Sequence, residues 1–272
     1  MVISVVNHTS RKITDDKVQA VLRAINRQIQ EDYFPYWSLA AELRLEGSAG
    51  LQPDKQATSE LRGDAVIYLW DEVDVDGALG YHDRNNAGIP YGFVFTELSA
   101  ELNEPWSVTL SHEALELLGD PFVNLLVVGP HPSEPNQDVL FWYEMCDAVQ
   151  AQTYEIDGVA VSNFLLPLYF TIEQDAVGRN DFLGSQTLES FGIDPGGYVG
   201  FFNPATGQHE TFSRKGDEKA ATRLAFKQRA GEARRVVRYR EAIVEKEPAA
   251  RGRFTREREA EYAPVETVTL PG

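Results

Sequence analysis

The 272-residue chain has one cysteine, Cys146, and two methionines. A lone cysteine excludes an intramolecular disulfide and any metal site built from several thiolates. Basic residues are scarce: 25 Lys and Arg stand against 42 Asp and Glu, for a net charge of −17. An acidic body is a poor nucleic-acid binder, because phosphate contacts need Lys and Arg. Apolar runs are short, and none approaches the roughly 20 residues of a membrane helix. The first residues, MVISVVNHTSRKITDD, lack the basic-then-apolar pattern of a signal peptide. The expectation is a cytoplasmic or virion- or particle-associated protein with no membrane and no nucleic acid as partner. No Gly-x-Ser-x-Gly, P-loop or dinucleotide fingerprint occurs, which argues against serine hydrolase, NTPase and dehydrogenase chemistry.

What is present is enough apolar surface to fold. Hydrophobic residues make up 43% of the chain, with 14 Phe, 11 Tyr and 4 Trp, too much to leave in water. The charge is uneven. Residues 214–262 carry 15 Lys and Arg against 9 Asp and Glu, leaving 10 basic and 33 acidic residues elsewhere. This pattern predicts an acidic body over residues 1–230 and a basic C-terminal arm over 231–272. The arm could seat on the acidic body of a neighbouring copy and build a homo-oligomer.

Hydrophobic periodicity predicts an α+β fold. Val2–Val6 is β-branched and predicts a strand. Thr14 has the character of a helix N-cap, with Asp15 and Asp16 in the first turn where the helix dipole favours negative charge. Val18, Val21, Leu22, Ile25 and Ile29 then recur at helical spacing, and Pro35 marks the end. Strands are predicted at Leu39–Leu45, Ala65–Trp70 and Tyr91–Phe95, with loops over residues 46–63 and from Asp71 up to Tyr91. A helix is predicted over 105–118, stopped by Gly119 and Pro121 and buried on the side of Val108, Leu115 and Leu118. Residues 122–143 have no clear period. Asp157-Gly158 and the stretch from Asn203 to Gly207 predict the turns of two hairpins.

The sharpest chemical signal lies in the predicted helix, at His112-Glu113-Ala114-Leu115-Glu116. Residues four apart stand one above the other on a helix face, so His112 and Glu116 can grip one metal ion. Glu113 is one step round, placed to act on a metal-bound water. Asp120 falls near the same face, and Glu144 and Asp147 follow in Glu-x-x-Asp spacing.

This arrangement resembles the zincin metallopeptidases, in the branch whose third ligand is a glutamate. SHEALELLGDP with its downstream Glu-x-x-Asp is also similar to uncharacterised bacterial and phage proteins. The resemblance covers residues 1–170 in layout and about a dozen positions in motif. It implies a zincin-like mixed sheet with a motif helix, a divalent metal and a peptide or protein substrate. By the same resemblance His112, Glu116 and Glu144 are ligands, Glu113 is the general base, and Asp147 braces a ligand from behind. Glu116 departs from the second histidine of the family pattern. A ligand set of one His and two carboxylates neutralises a dication fully, makes its water less acidic, and shifts preference from zinc toward manganese, iron or calcium. Zinc remains the first expectation.

Other candidates are weaker. His82 lies in a Gly- and Asn-rich stretch before the Tyr91–Phe95 strand; in zincins a strand there borders the cleft, so His82 could reach substrate or metal. Tyr143, beside Glu144, could stabilise an oxyanion, although a partly buried tyrosine is commoner. Asp71, Asp74 and Asp76 beside Gly77 resemble the start of a calcium loop without its closing Glu and suit a solvated turn. His8, His131 and His209 have no partner pattern, and Cys146 suits a small buried apolar residue. Two readings follow: a metal-dependent hydrolase, peptidase-like, or a non-catalytic assembly protein of a phage or particle whose arm contacts neighbouring subunits.

Overall fold

The computed structural model describes residues 1–10, 13–46, 61–73, 78–134, 136–172, 178–185 and 188–216. The C-terminal arm over 231–272, Asp74, Asp76 and Gly77, and most of the 46–63 loop lie outside the described residues.

The chain is mixed α+β, and its described residues form three sheets and few helices. β1 (Val2–Asn7), β2 (Glu42–Glu46), β3 (Ala65–Trp70), β4 (Gly80–Arg84) and β5 (Pro90–Phe95) form a five-stranded sheet in the order β2-β1-β3-β5-β4. β2, β1, β3 and β5 are parallel, and β4 returns antiparallel along β5 as the edge strand, with His82 opposite Gly92. The stretch before Tyr91, expected as loop, therefore contains a strand. Its Asp, Asn and Gly content hides the alternation, and pairing with the wholly buried β5 overrides the weak local propensity.

Side chains alternate between the two faces of this sheet. Ile3, Val5, Ile67, Leu69 and Val94 enter a core shared with the helices. Val66, Tyr68, Tyr81, Phe93 and Phe95 form a second, largely aromatic cluster. α1 (Asp15–Arg27) starts as expected, with the Thr14 hydroxyl accepting the Lys17 N–H. It does not stop before Pro35. A π-helical turn at Gln28–Tyr33 carries it into α2 (Phe34–Trp37), where Pro35 sits at the start and needs no N–H partner.

After α3 (Thr96–Glu101) comes the motif helix, α4 (Trp106–Gly119), with Pro105 at its N-cap. Every residue from Ser107 to Gly119 is buried, so the helix has no solvent stripe, contrary to the one-sided burial expected. It packs on β4 and β5 and also on the hairpin of β8 (Thr153–Ile156) and β9 (Val159–Ser162). That hairpin turns at Asp157-Gly158, both at positive φ, as expected of that dipeptide.

Residues 122–143 are not wholly irregular: β6 (Leu126–Pro130) and β7 (Asp138–Trp142) pair antiparallel there. They join β10 (Tyr198–Asn203) and β11 (Gln208–Ser213) in a four-stranded sheet ordered β11-β10-β7-β6. Among the described residues no helix is long and apolar enough to cross a membrane.

Candidate metal centre

Two glycines let the site close. A Cβ on Gly80 would stand 2.7 Å from the Phe93 carbonyl oxygen and 2.7 Å from Thr109 Cγ2, so β4 approaches α4 closely only with glycine there. Gly119 plays the same part at the other end of the helix, where a Cβ would meet Met145 Cε at 2.6 Å. These contacts bring the strand bearing His82 and the segment Glu144–Asp147 onto one helix.

Beneath the site, polar groups lock α4 in rotation. The buried Ser111 hydroxyl donates to Gln28 Oε1 at 2.7 Å and accepts the Ser162 N–H at 3.1 Å. Gln28 in turn donates to the Ser162 carbonyl at 2.8 Å.

His112 Nε2 lies 3.2 Å from Glu116 Oε2 and 3.3 Å from Asp147 Oδ1. His82 Nδ1 lies 3.2 Å from Glu113 Oε2 and 3.6 Å from Glu116 Oε2, and its Nε2 is 3.7 Å from Glu144 Oε2. Glu116 Oε1 accepts the backbone N–H of Cys146 at 3.1 Å. His82, His112, Glu113, Glu116 and Asp147 are all buried, Glu116 only 3% exposed. Two sets of three ligand-type atoms, His82 with Glu113 and Glu116, and His112 with Glu116 and Cys146, each fall within 4.8 Å of one another. Atoms around one zinc, each about 2.0–2.3 Å from it, stand about 3.3–3.7 Å apart, so the donor set fits a divalent ion.

Burial pulls the His82 imidazole down, but the Glu113 hydrogen bond and the Glu144 and Glu116 charges outweigh it and push it up to about 9. Burial opposes the charge on His112 too; the Glu116 charge and hydrogen bonds to Asp147 and Glu116 raise it to about 10. Without metal both rings carry a proton at neutral pH, and each ion that binds must displace one.

The structure brings together His82, His112, Glu113, Glu116, Glu144 and Asp147. It turns Asp120 elsewhere: its oxygens accept the N–H groups of Asn124 at 3.1 Å and Leu125 at 2.9 Å, capping the turn after the helix. Tyr143 packs its ring against Trp37 and Phe170. Burial and the nearby Asp120 charge push its phenol up to about 12. Asp71 is buried rather than solvated and accepts hydrogen bonds from Ser10 and Thr96.

Two residues at the site carry no sequence signal. The Tyr198 hydroxyl, on β10, hydrogen-bonds Asp147, and burial and that carboxylate raise its pKa well above the ordinary range. Cys146 is buried as expected, yet its sulfur lies among ligand atoms; burial and the Glu116 charge hold the metal-free thiol protonated. Glu144 and Asp147 also line a small pocket walled by Phe141, Trp142, Tyr169 and Phe170.

No family model matches the chain, and no curated protein or solved structure matches it. The buried His, Glu and Cys groups are the finding on which a functional reading rests.

Proposed function

We propose that the chain is a zincin-like metal-dependent hydrolase acting on peptide or protein substrates. The observation that carries this reading is the placement of His112 and Glu116, one helical turn apart and buried, with Glu113, His82 and the Glu144–Asp147 segment on the same side. An antiparallel edge strand bordering the motif helix also agrees with the zincin layout. A divalent ion there, zinc before manganese, iron or calcium, supplies Lewis acidity toward water and a substrate carbonyl.

The protein's own groups do the rest. His112 and Glu116 hold the ion. In the metal-free chain Asp147, itself held by Tyr198, faces the same His112 Nε2 that would bind the ion. Glu113 takes the proton of the attacking water, and His82 fixes its carboxylate in place.

The test is turnover of a peptide library by the zinc-loaded chain and by Glu113→Gln. The native chain cleaves peptides, and the variant loses about 10²–10⁴-fold in kcat, the usual worth of a general base. The ion on His112 and Glu116 stays. A variant as active as the native chain would refute this role for Glu113. A zinc-loaded chain that cleaves nothing would refute the hydrolase.

A further inference from the structure

The two ligand groups share Glu116 and nothing else. Among the described residues, no group joins His82 to His112. Two ligands on one zinc, each at about 2.0–2.2 Å, cannot stand more than about 4.4 Å apart. A single ion therefore cannot take both imidazoles where they stand. Glu116 Oε2, by contrast, is 3.6 Å from His82 Nδ1 and 3.2 Å from His112 Nε2, between the two rings.

We infer that this is a two-ion centre in which the Glu116 carboxylate is the shared ligand. One ion is held by His112, Glu116 and the Cys146 sulfur. The other is held by His82 Nδ1, Glu116 and Glu113 Oε2, which leaves Glu113 Oε1 to take the water's proton. An independent observation on His82 agrees. Its side chain is more than nine-tenths buried, and its Nε2 has no hydrogen bond, standing 3.7 Å from Glu144 Oε2. A histidine that binds a metal through Nδ1 turns its other N–H to a carboxylate, and Glu144 stands on that side. The donor sets also differ in softness: the thiolate favours zinc or cobalt, and the two carboxylates accept manganese as well.

The inference rests on the metallohydrolase reading and adds a stoichiometry to it. The experiment is Co(II) titration of the full, metal-stripped chain, read by elemental analysis and absorbance. Two equivalents bind, one with a thiolate-to-cobalt charge-transfer band in the near ultraviolet. His82→Ala and Glu113→Gln each remove one equivalent and keep the band. Cys146→Ser abolishes the band, and Glu116→Ala removes both ions. Because a variant can fail to fold, the native chain is also loaded with Mn(II), whose electron paramagnetic resonance shows exchange coupling when two ions share a carboxylate. One equivalent at saturation, unchanged by His82→Ala and without coupling, overturns the two-ion centre and leaves a one-ion hydrolase standing. No bound metal overturns both.

Discussion

The Glu116 carboxylate faces two ways at once: Oε1 accepts the Cys146 N–H at 3.1 Å, and Oε2 stands 3.2 Å from His112 Nε2. One side chain thus ties the motif helix to the segment carrying Glu144 and Asp147 while offering an oxygen to a cation. The two roles separate by substitution. Glu116→Gln keeps an oxygen for the buried N–H but loses the charge. Glu116→Ala also leaves that N–H unpaired, at about 1–3 kcal/mol. Both variants lose metal, and the alanine variant alone loses several degrees of Tm in the metal-free form. Thermal melts in EDTA read the difference; equal melts would remove the structural role.

Gly80 sets how near β4 comes to both β5 and α4. Gly80→Ala places a methyl group 2.7 Å from the Phe93 carbonyl oxygen, a backbone atom that cannot swing aside. Overpacking of this kind costs about 1–3 kcal/mol. The strand moves out, His82 draws away from Glu113, and metal affinity falls. Gly119→Ala is milder, because Met145, which a Cβ there would touch, is a flexible side chain. Chemical denaturation of the two variants checks the order, and a Gly119→Ala more damaging than Gly80→Ala would contradict it.

Tyr198→Phe removes the hydroxyl that holds Asp147, which in turn faces His112. Such outer contacts are worth about 10–100-fold in metal affinity. The variant should fold normally and bind zinc within that range more weakly, as read by competition with a chelator. Unchanged affinity would place Tyr198 outside the site's chemistry.

The histidines give a pH dependence of definite sign. Their folded values, about 9 for His82 and about 10 for His112, lie above the ordinary 6.5. The stability they lend the metal-free chain is complete below pH 6.5 and is lost as pH rises through those values. Metal competes with the same protons, so its affinity climbs over the same window. Melting curves with EDTA and with zinc should diverge as the solution turns alkaline. An EDTA curve that rises there would contradict the assignment.

Local chemistry made much of the architecture legible. The Thr14 cap with Asp15 and Asp16, the run Ala65–Trp70 and the Asp157-Gly158 turn each carry their own physical signal, and each forms the predicted element. His112 and Glu116 were legible because helical spacing alone makes them neighbours. His82 was harder: its strand is polar, and only pairing with β5 and the glycine at Gly80 place it over Glu113. Cys146 sits inside the Glu144-x-x-Asp147 segment but has no spacing signal of its own, and Tyr198 comes to the site through tertiary packing, from a segment with no motif. Asp120 shows the converse. Its spacing suggests a ligand, but the chain turns just there, and its oxygens serve backbone N–H groups after the helix.

The most direct measurement is an anomalous difference map at the zinc absorption edge, from crystals of the full chain grown with zinc. The account predicts density beside Glu116 Oε2 and His112 Nε2, within about 2.0–2.3 Å of both. An empty map, with His82 Nδ1 still on Glu113 Oε2 at 3.2 Å, would show that these buried charges are architecture and not a metal centre.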